Sequence, residues 1–404
     1  AIDFCEYYAR EALALAHPDP LVQLSGELDR LVYLPLGVGI IIPPWNFPLA
    51  IMVGMTAAAL VTGNTVVIKP SSDTPTIAAK FAETLIEAGL PPQSFSLLSG
   101  SGGVIGDVLV SHPKTRFVSF TGSREVGLHI NELAAKTPKG QIWIKRVIAE
   151  MGGKDAIIVD SEADLDQAVL GVMYSAFGYQ GQKCSACSRV IVLDAVYPAF
   201  LERLVEATRS LKVGPAEDPA TSVSAVIDAE ALERVRRYIA IGSSEGRLVL
   251  AMDAGPAAAE GFYVGPHIFA DVAPLARIAQ EEIFGPVLVV LRAANLDEAI
   301  ATFNSTDYAL TGGIFSRSPE HLARARRELL VGNLYLNRGI TGALVGRQPF
   351  GGFKMSGIGT KAGGPDYLLQ FVLPRTVTEN TMRRGFAPTS HVESHAEVEA
   401  ERER

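Results

Sequence analysis

Between residues 37 and 135, short apolar strands alternate with helix-like segments, and this alternation constrains the fold more than any other feature. Glycine and proline bound the strands, and a run of helical character follows each one. Such an order is typical of βαβ units, in which helices cover both faces of a parallel sheet. A second series of the same kind starts at Asp155. The sequence therefore predicts an α/β fold built on doubly wound parallel sheets.

Length and composition indicate a globular chain with room for two domains. The chain has 404 residues, of which 48% are hydrophobic and 20% are charged. A net charge of −8 weighs against nucleic acid as a partner, and the longest apolar stretch, 49–61, is too short to span a bilayer. The chain contains 3 cysteines, a low content that favours a reducing compartment, so we expect a cytoplasmic location and no membrane partner.

The stretch 177–189 places Cys184 in a turn rich in Gly, Gln and Ser. An apolar helix-like run precedes it, and the strand 189–193 follows. Small molecules can reach a thiol at the mouth of such a turn. The surrounding backbone N–H groups are expected to lower the thiol pKa and to hold an oxyanion. Cys184 is therefore a candidate nucleophile.

Two other interpretations of Cys184 stay open from this stretch alone. It could be a small buried hydrophobic residue, or it could form a redox pair or half of a metal site with Cys187. The remaining cysteine is Cys5, and the 7 histidines show no paired ligand spacing, so no metal is expected. A redox pair usually opens a helix, whereas a strand follows here.

Polar residues that could bind a ligand or take part in catalysis follow several strands of the first series. Asn46 lies in the proline-bounded loop 43–48 after strand 37–42, and Lys69 ends the next strand. Open α/β sheets bind ligands at the carboxyl ends of their strands. Asn46 could donate to an oxyanion, and Lys69 could bind a ribose or phosphate. Glu150, beside two glycines, is a candidate general base. Taken singly, each could equally be a turn or surface residue.

Further stretches suggest a nucleotide and a carboxylate as ligands. The glycine-rich turn 100–106 resembles, but does not match, the dinucleotide pattern G-x-G-x-x-G. Ser123 is placed to cap a helix and to face a pyrophosphate. Glu282 could accept hydrogen bonds from a ribose diol, and Phe284 could pack on a flat ring. The glycine-rich loop 341–353 exposes backbone N–H groups that suit a carboxylate.

Together these stretches resemble the aldehyde dehydrogenase superfamily, in the order that the family has them and over most of residues 1 to about 380. The matching stretches are Pro44-Trp45-Asn46-Phe47-Pro48, Lys69-Pro70, Phe120-Thr121-Gly122-Ser123, Glu150-Met151-Gly152-Gly153-Lys154, Gly181-Gln182-Lys183-Cys184, Glu281-Glu282-Ile283-Phe284-Gly285-Pro286 and Pro349-Phe350-Gly351-Gly352-Phe353. Within the family, stretches 181–189 and 337–350 are similar to the members that oxidise L-glutamate γ-semialdehyde to L-glutamate in proline degradation.

The resemblance implies an aldehyde dehydrogenase-like fold of two doubly wound domains and a small β oligomerisation flap. Residues 1–20 and 37–151 would form a Rossmann-like NAD-binding domain, residues 152–356 the catalytic domain, and residues 21–36 and 366–379 the oligomerisation strands. A hairpin around Ser25-Gly26 is expected in the first of these flap segments. The chain starts without Met inside a helix-like run, so we expect that part of the cofactor domain is missing. Residues 383–404 are predicted to be a disordered tail.

The resemblance also implies a role for each site residue. Cys184 would attack the aldehyde, Asn46 and the Cys184 N–H would form the oxyanion hole, and Glu150 would activate the water that hydrolyses the thioester. The implied NAD-binding residues are Pro44, Trp45, Lys69, Ser72, Gly102, Gly106, Thr121, Gly122, Ser123, Glu282 and Phe284. The implied substrate-binding residues are Phe47, Ser185, Gly342, Ala343 and Phe350.

Several alternatives accompany this interpretation. Ser72 stands where many NAD-specific members have Glu, so NADP is a second cofactor to consider. The substrate could be another semialdehyde, such as succinate semialdehyde, or the chain could be a catalytically inactive truncated relative. A homo-oligomer is expected, because the flap segments resemble exposed edge strands that need cover.

Overall fold

The structure is a computed structural model that describes residues 1–382. The helices, in chain order, are α1 Ile2–Ala16, α2 Ala50–Val61, α3 Pro75–Glu87, α4 Asp107–Ser111, α5 Arg124–Ala135, α6 Leu165–Phe177, α7 Tyr197–Arg209, α8 Ala229–Glu245, α9 Arg277–Gln280, α10 Leu296–Asn304 and α11 Pro319–Glu328. The strands are β1 Glu27–Pro35, β2 Val38–Ile42, β3 Thr65–Ile68, β4 Phe95–Leu97, β5 Thr115–Thr121, β6 Arg146–Glu150, β7 Asp155–Val159, β8 Cys187–Leu193, β9 Arg247–Ala251, β10 His267–Ala270, β11 Val287–Ala293, β12 Tyr308–Ala309, β13 Thr311–Phe315, β14 Asn333–Leu336, β15 Phe353–Lys354, β16 Gly357–Ile358 and β17 Val372–Asn380.

The first large sheet has the strand order β16-β6-β5-β2-β3-β4, and all its neighbouring strands are parallel except β16 and β6. From β2 the chain winds outward through β3 to β4, and it then returns to place β5 on the other side of β2. The switch point of the sheet therefore lies between the carboxyl ends of β2 and β5. Ligands bind at this place in open α/β sheets.

The second large sheet has the order β14-β13-β7-β8-β11-β10-β9 and is parallel except for β9. All five residues of β7 are buried, because apolar clusters cover both faces of the sheet. Continuous burial of this kind is typical of parallel strands between helices. The predicted fold class, with two doubly wound sheets and a small additional β element, is confirmed.

The small β element is an antiparallel ribbon of β1 and β17, paired from Glu27↔Asn380 to Pro35↔Val372. The expectation of a local hairpin within residues 21–36 is wrong. The Gln23 side chain instead exchanges two hydrogen bonds with the Asp29 backbone, at 2.8 Å each. This side chain takes the place of a backbone partner at the start of β1, and the distant β17 supplies the strand.

Helix α1 packs against the last part of the described chain. Tyr8 is fully buried, its ring stacks on Tyr367, and its hydroxyl accepts a hydrogen bond from Gly363 N at 2.8 Å. None of the helices within residues 1–382 combines the length and apolar character that a membrane crossing needs. The predicted tail, residues 383–404, lies outside the described residues.

Candidate active site

Cys184 lies in a turn of unusual backbone conformation between α6 and β8. Tyr179, Gln180 and Gly181 are consecutive left-handed residues, with φ of 61°, 58° and 67°. A left-handed conformation costs a non-glycine residue about 1 kcal/mol or more, so contacts elsewhere must hold the turn. One such contact is the Tyr179 ring, which stacks on Phe47 with a centroid separation of 5.4 Å. The loop after β2 thus braces the turn that carries the thiol.

Asn46 joins the same two segments through hydrogen bonds. Its side chain is buried, and Nδ2 donates to the Gln182 carbonyl oxygen at 3.0 Å, two residues before Cys184. The Tyr179 hydroxyl donates to the Asn46 carbonyl at 2.8 Å. An amide nitrogen carries two hydrogens. Residues 1–382 supply no other acceptor for the second one, which is therefore available to an oxyanion formed near Cys184.

Glu150 ends β6, where it is the register partner of Gly357 on β16. Its Oε2 atom is buried and has no hydrogen-bond partner among residues 1–382. Burial raises the pKa of Glu150 to about 8, against the opposing effects of the Lys361 charge and the Gly352 N–H. A carboxylate with this pKa can accept a proton near neutral pH, as a general base must.

Two glycines after Glu150 allow other segments to approach closely. A Cβ atom on Gly153 would lie 2.5 Å from the Cys184 carbonyl oxygen, and one on Gly152 would lie 2.1 Å from Glu282 Oε2. Any side chain at either position would displace its neighbour. The Gly153 N–H also donates to Glu282 Oε1 at 3.0 Å. Only glycine therefore permits this meeting of β6, the thiol turn and the segment before β11.

The thiol environment differs from the one expected. Burial raises the pKa of Cys184 above its ordinary value, the negative charges of Asp155, Glu282 and Glu150 add to the rise, and the Ser185 N–H opposes it. The expectation of a lowered thiol pKa is therefore wrong. Desolvation and three carboxylates outweigh the backbone donors.

Glu282 and Phe284 lie where the segment before β11 meets the loop after β2. Phe284 has a left-handed backbone, with φ of 57°, and its ring packs edge-on against Trp45 at 5.6 Å. Pro44 precedes Trp45 in that loop. Burial raises the pKa of Glu282 to about 7, against the opposing Gly153 N–H, Lys154 and Arg234. Trp45 also lines a cavity of about 480 Å³ together with Tyr179 and Gln182.

Lys69 follows β3 directly and is almost completely buried, at 6% exposure. Its ammonium donates to the Pro70 carbonyl at 3.1 Å, and burial lowers its pKa. A Cβ atom on Gly102 would lie 4.0 Å from Lys69 Cε, so the glycine-rich turn approaches this lysine. Gly102–Gly106 forms a π-helical turn that leads into α4, and Ser72 is exposed three residues after Lys69.

The segment after β5 lies on the other side of the switch point. Thr121 is the last residue of β5, and the Gly122 N–H donates to the Glu150 backbone oxygen at 3.1 Å. Ser123 caps α5 as expected, since its hydroxyl accepts from the Val126 N–H at 3.4 Å. These three residues therefore lie at the carboxyl edge of the sheet, beside the candidate base.

The predicted substrate residues come from three segments. Phe47 is 36% exposed, and Ser185 is buried, with its carbonyl accepting from Thr311 Oγ1 at 3.3 Å. Gly342 is left-handed with open space at its Cβ position, and Phe350 exchanges backbone hydrogen bonds with Ala362.

The glycine-rich loop is tied to the helix that precedes the thiol turn. The Ile340 N–H donates to Ser175 Oγ of α6 at 3.1 Å. Within residues 1–382, no hydrogen bond joins Gly342 or Ala343 to Ser185. The glycine-rich loop 341–353, predicted to bind a carboxylate, is thus attached to α6 at its start. Which of its own backbone N–H groups would bind the carboxylate stays a prediction. No group of three or more His, Cys, Asp and Glu side chains in this part of the chain is placed to hold a metal ion.

Comparison with known sequences identifies the family to which this arrangement of residues belongs. A sequence model described as "Aldehyde dehydrogenase family" matches residues 1–377. The chain belongs to the aldehyde dehydrogenase family. The predicted resemblance is therefore confirmed.

Curated relatives within the aldehyde dehydrogenase family share more than half of the aligned residues. A 1-pyrroline-5-carboxylate dehydrogenase from Geobacillus sp. (strain WCH70) is 55% identical over 379 residues, which is 94% of this chain and 73% of the relative. The protein of the same name from Bacillus cytotoxicus is 53% identical over the same shares.

Solved structures also resemble the chain. A Thermus 1-pyrroline-5-carboxylate dehydrogenase with bound NAD is 50% identical with a TM-score of 0.91, and the match covers 94% of this chain and 73% of that one. Proline utilization A from Bdellovibrio bacteriovorus is 53% identical with a TM-score of 0.93. That match covers 96% of this chain but 40% of the longer protein.

Sequence reasoning missed several residues that shape this aldehyde dehydrogenase site. Tyr179 and Gln182 are in the thiol stretch, but their bonds to the loop of Asn46 span the two sheets and leave no local pattern. Lys361, whose charge acts on Glu150, lies in a segment that no motif marked. Asp155 follows the Glu-Met-Gly-Gly-Lys stretch directly, and an acidic residue at the start of a buried strand was an available signal.

Proposed function

We propose that the chain oxidises L-glutamate γ-semialdehyde to L-glutamate with NAD as hydride acceptor, the second step of proline degradation. The observation that carries the proposal is the bond from Asn46 Nδ2 to the Gln182 carbonyl, 3.0 Å long, which puts an amide donor next to the Cys184 turn. A thiol, an oxyanion donor and a carboxylate base are the three groups that acyl transfer through a cysteine requires. The names of the relatives support the substrate.

The first step is attack of the Cys184 sulfur on the aldehyde carbon, which forms a thiohemiacetal. The thiol first loses its proton to solvent, because the thiolate is the nucleophile. The negative charge that develops on the aldehyde oxygen is held by the free Asn46 amide hydrogen and the Cys184 N–H. One such donor lowers the activation free energy by roughly 3 kcal/mol.

The second half of the reaction releases the acid. Loss of hydride turns the thiohemiacetal into a thioester, and bound NAD supplies the acceptor for that hydride. Glu150 then takes a proton from a water molecule, and the resulting hydroxide attacks the thioester carbon and frees the Cys184 sulfur. The buried Glu150 Oε2 atom, which has no hydrogen-bond partner in the described part of the chain, can receive this proton.

The residues at the switch point fit a dinucleotide. Lys69 is 6% exposed, yet its ammonium, with three donors, makes one hydrogen bond within residues 1–382, to Pro70 O. Two donors are therefore left for the hydroxyls of a ribose. The phosphate and adenosine side of the proposed site is formed by the segments of Ser72, Gly102, Gly106, Thr121, Gly122 and Ser123. Pro44, Trp45, Glu282 and Phe284 supply its nicotinamide side. A positive nicotinamide near Cys184 would counteract the carboxylates that raise its pKa.

The substrate assignment rests on side chains around Cys184. We propose that Phe47 and Phe350 flank the aliphatic part of the substrate and that Ser185, Gly342 and Ala343 bind its α-carboxylate. The nearby Arg338 is already engaged by the loop, because its Nη2 donates to the Thr341 carbonyl at 3.3 Å and its guanidinium covers the Tyr335 ring. This engagement favours recognition of the carboxylate by backbone N–H groups rather than by a cationic side chain.

We also propose the division into domains given by the two large sheets. Residues 1–20 and 37–151 would bind the cofactor, residues 152–356 would carry the nucleophile, and residues 21–36 and 366–379 would mediate homo-oligomer formation. A two-stranded ribbon is only marginally stable by itself, and β17 is exposed along most of its length. A second copy would cover it. A single monomeric species in light scattering at micromolar concentration would contradict this oligomer.

A cytoplasmic location is part of the proposal. The three cysteines Cys5, Cys184 and Cys187 are free thiols, as expected in a reducing compartment. The proposed mechanism also requires a reduced thiol at Cys184.

The test is the formation of reduced nicotinamide with three aldehydes: L-glutamate γ-semialdehyde, succinate semialdehyde and propanal. Each is offered with NAD and with NADP, and Cys184→Ala is the control. We expect the highest kcat/KM with L-glutamate γ-semialdehyde and NAD, and no turnover in the control. If succinate semialdehyde gives the highest kcat/KM, the proposed mechanism stands but the proposed substrate is wrong. A well-folded wild type that oxidises none of the three would overturn the proposal.

A further inference from the structure

Lys361 and Glu150 both lie beside Gly351, on the side to which a Cβ atom of that residue would point. A Cβ atom on Gly351 would be 2.8 Å from Glu150 Oε1 and 3.5 Å from Lys361 Cα. The Lys361 ammonium donates to the Gly351 carbonyl oxygen and, at 3.4 Å, to Asn333 Oδ1. The same Asn333 oxygen accepts from the Gly351 N–H at 3.2 Å. One small network therefore fixes both the lysine and the glycine beside which the candidate base lies.

Three ionisable groups from the described part of the chain face Glu150, and Lys361 is the positively charged one. The thiol turn brings Cys184, the segment after β16 brings Lys361, and the 3₁₀ turn Tyr367–Phe371 brings Tyr367. Cys184 and Tyr367 are weak acids, and the negative charge of Glu150 disfavours their ionised forms. The Lys361 charge favours the ionised form of Glu150, and the Glu150 charge in turn favours the ionised form of Lys361.

We propose that Lys361 is a positioning residue that favours the ionised form of Glu150, so that the base becomes competent at a lower pH than its burial alone would allow. The inference rests on the proposed role of Glu150 in deacylation. Lys361 does not need to touch the substrate, because it acts through its charge and through the Gly351 backbone. Without the ammonium, Glu150 would stay protonated to a higher pH and could not deprotonate water there.

The expected size follows from general electrostatics. An opposite charge within about 4–6 Å lowers the pKa of a carboxyl group by about 1–3 pH units. Loss of the Lys361 charge should therefore move the acidic limb of the deacylation profile upward by at least about 1 pH unit. At a pH below that limb, the deacylation rate should fall about tenfold for each pH unit by which the limb moves. At high pH, where Glu150 is ionised in both proteins, the rates should converge.

The test measures hydrolysis of the acyl-enzyme formed from p-nitrophenyl acetate, which acylates a thiol without cofactor or aldehyde. A burst of nitrophenol reports acylation, and the following steady rate reports deacylation, between pH 5.5 and 10. The variants are Lys361→Met, which loses the charge and the hydrogen-bond donors, Lys361→Gln, which loses the charge but keeps N–H donors, and Lys361→Arg, which keeps the charge. Lys354→Met is the matched control, because Lys354, like Lys361, donates to two oxygen atoms, here the backbone carbonyls of Asn304 and Thr306.

We expect Lys361→Met and Lys361→Gln to move the deacylation limb upward together, and Lys361→Arg and Lys354→Met to leave it within about 0.3 pH units of its wild-type position. The change should vanish in a Glu150→Gln background. Unaltered profiles in both neutral variants, or an equal change in Lys354→Met, would overturn the inference. A Lys361→Arg profile that moves as far as Lys361→Met would also overturn it, since the charge would then be irrelevant. Hydrolysis of the ester needs no nicotinamide. If the wild type does not oxidise aldehydes, the proposed function is therefore wrong, but the ester measurements still decide the role of Lys361.

Discussion

Asn46 donates its side-chain amide to the carbonyl of Gln182 at 3.0 Å, and this bond links the loop after β2 to the turn of Cys184. The two residues belong to segments that lead into different sheets. The relative position of the oxyanion donor and the thiol thus depends on this bond, together with the contacts of Tyr179 with Asn46 and Phe47.

Asn46→Ala should lower kcat/KM for aldehyde oxidation by roughly 100- to 1,000-fold, because one oxyanion donor is lost and the turn loses a brace. Asn64→Ala is the matched control. Asn64 is buried like Asn46, but its amide donates to the Ala59 and Phe371 carbonyls, away from the thiol. We expect the control to lower the free energy of unfolding by about 1–3 kcal/mol with little change in kcat. Equal losses of kcat in both variants, measured by steady-state kinetics, would contradict the role of Asn46.

Cys184→Ala should abolish turnover, whereas Cys187→Ala should keep most of it. Cys187 is buried in the core of the second sheet, and its thiol donates to the Arg189 carbonyl at 3.3 Å. It therefore serves packing. Initial rates and mass spectrometry of the acyl-enzyme distinguish the two thiols. Comparable losses in both variants would revive the dithiol interpretation.

Glu150→Gln should slow deacylation more than acylation. In the wild type, deacylation should rise with pH and level off above about pH 8, because the carboxyl group must be ionised to act as a base. In Glu150→Gln, a burst of reduced nicotinamide should precede a slow steady rate that lacks this rise. Stopped-flow measurements that show no burst would count against the assignment.

The same buried carboxyl group should make stability depend on pH. The pKa of Glu150 is raised from 4.5 to about 8 in the folded chain, so the folded state binds more protons than the unfolded state between these values. The contribution to the free energy of unfolding is therefore lost as pH rises from about 4.5 through about 8. Urea unfolding at several pH values should show a flatter dependence in Glu150→Gln. An unchanged dependence would show that Glu150 does not titrate as a buried group.

Ser72→Glu should increase the preference for NAD over NADP. Ser72 is exposed after β3, three residues from the buried Lys69, and a carboxylate there would repel a 2′-phosphate. We expect the ratio of kcat/KM with NADP to that with NAD to fall about tenfold, which corresponds to about 1.4 kcal/mol. Ser243→Glu, an equal change of charge on exposed α8, should leave the ratio unchanged.

Local patterns were sufficient to place Asn46 in the loop after a strand and Lys69 at the end of the next one, because glycines and prolines mark those boundaries in the sequence. They were not sufficient for features set by distant segments. The left-handed Tyr179 and Gln180 depend on contacts with the loop after β2, and the partner of β1 lies at the other end of the described chain. The raised thiol pKa depends on three carboxylates, which the fold gathers from β6, β7 and the segment before β11.

The pairing of β1 with β17 has a consequence for the order of events during synthesis. β1 is made well before β17, the strand with which it pairs, and almost all of the other elements of residues 1–382 are made between the two. At translation rates of about 5–20 residues per second, β1 waits on the order of 20–70 s for β17. During that interval its edge is open to other nascent chains. The ribbon therefore forms only after β17 has been made, and a chaperone that shields β1 on the ribosome should raise the yield of folded protein.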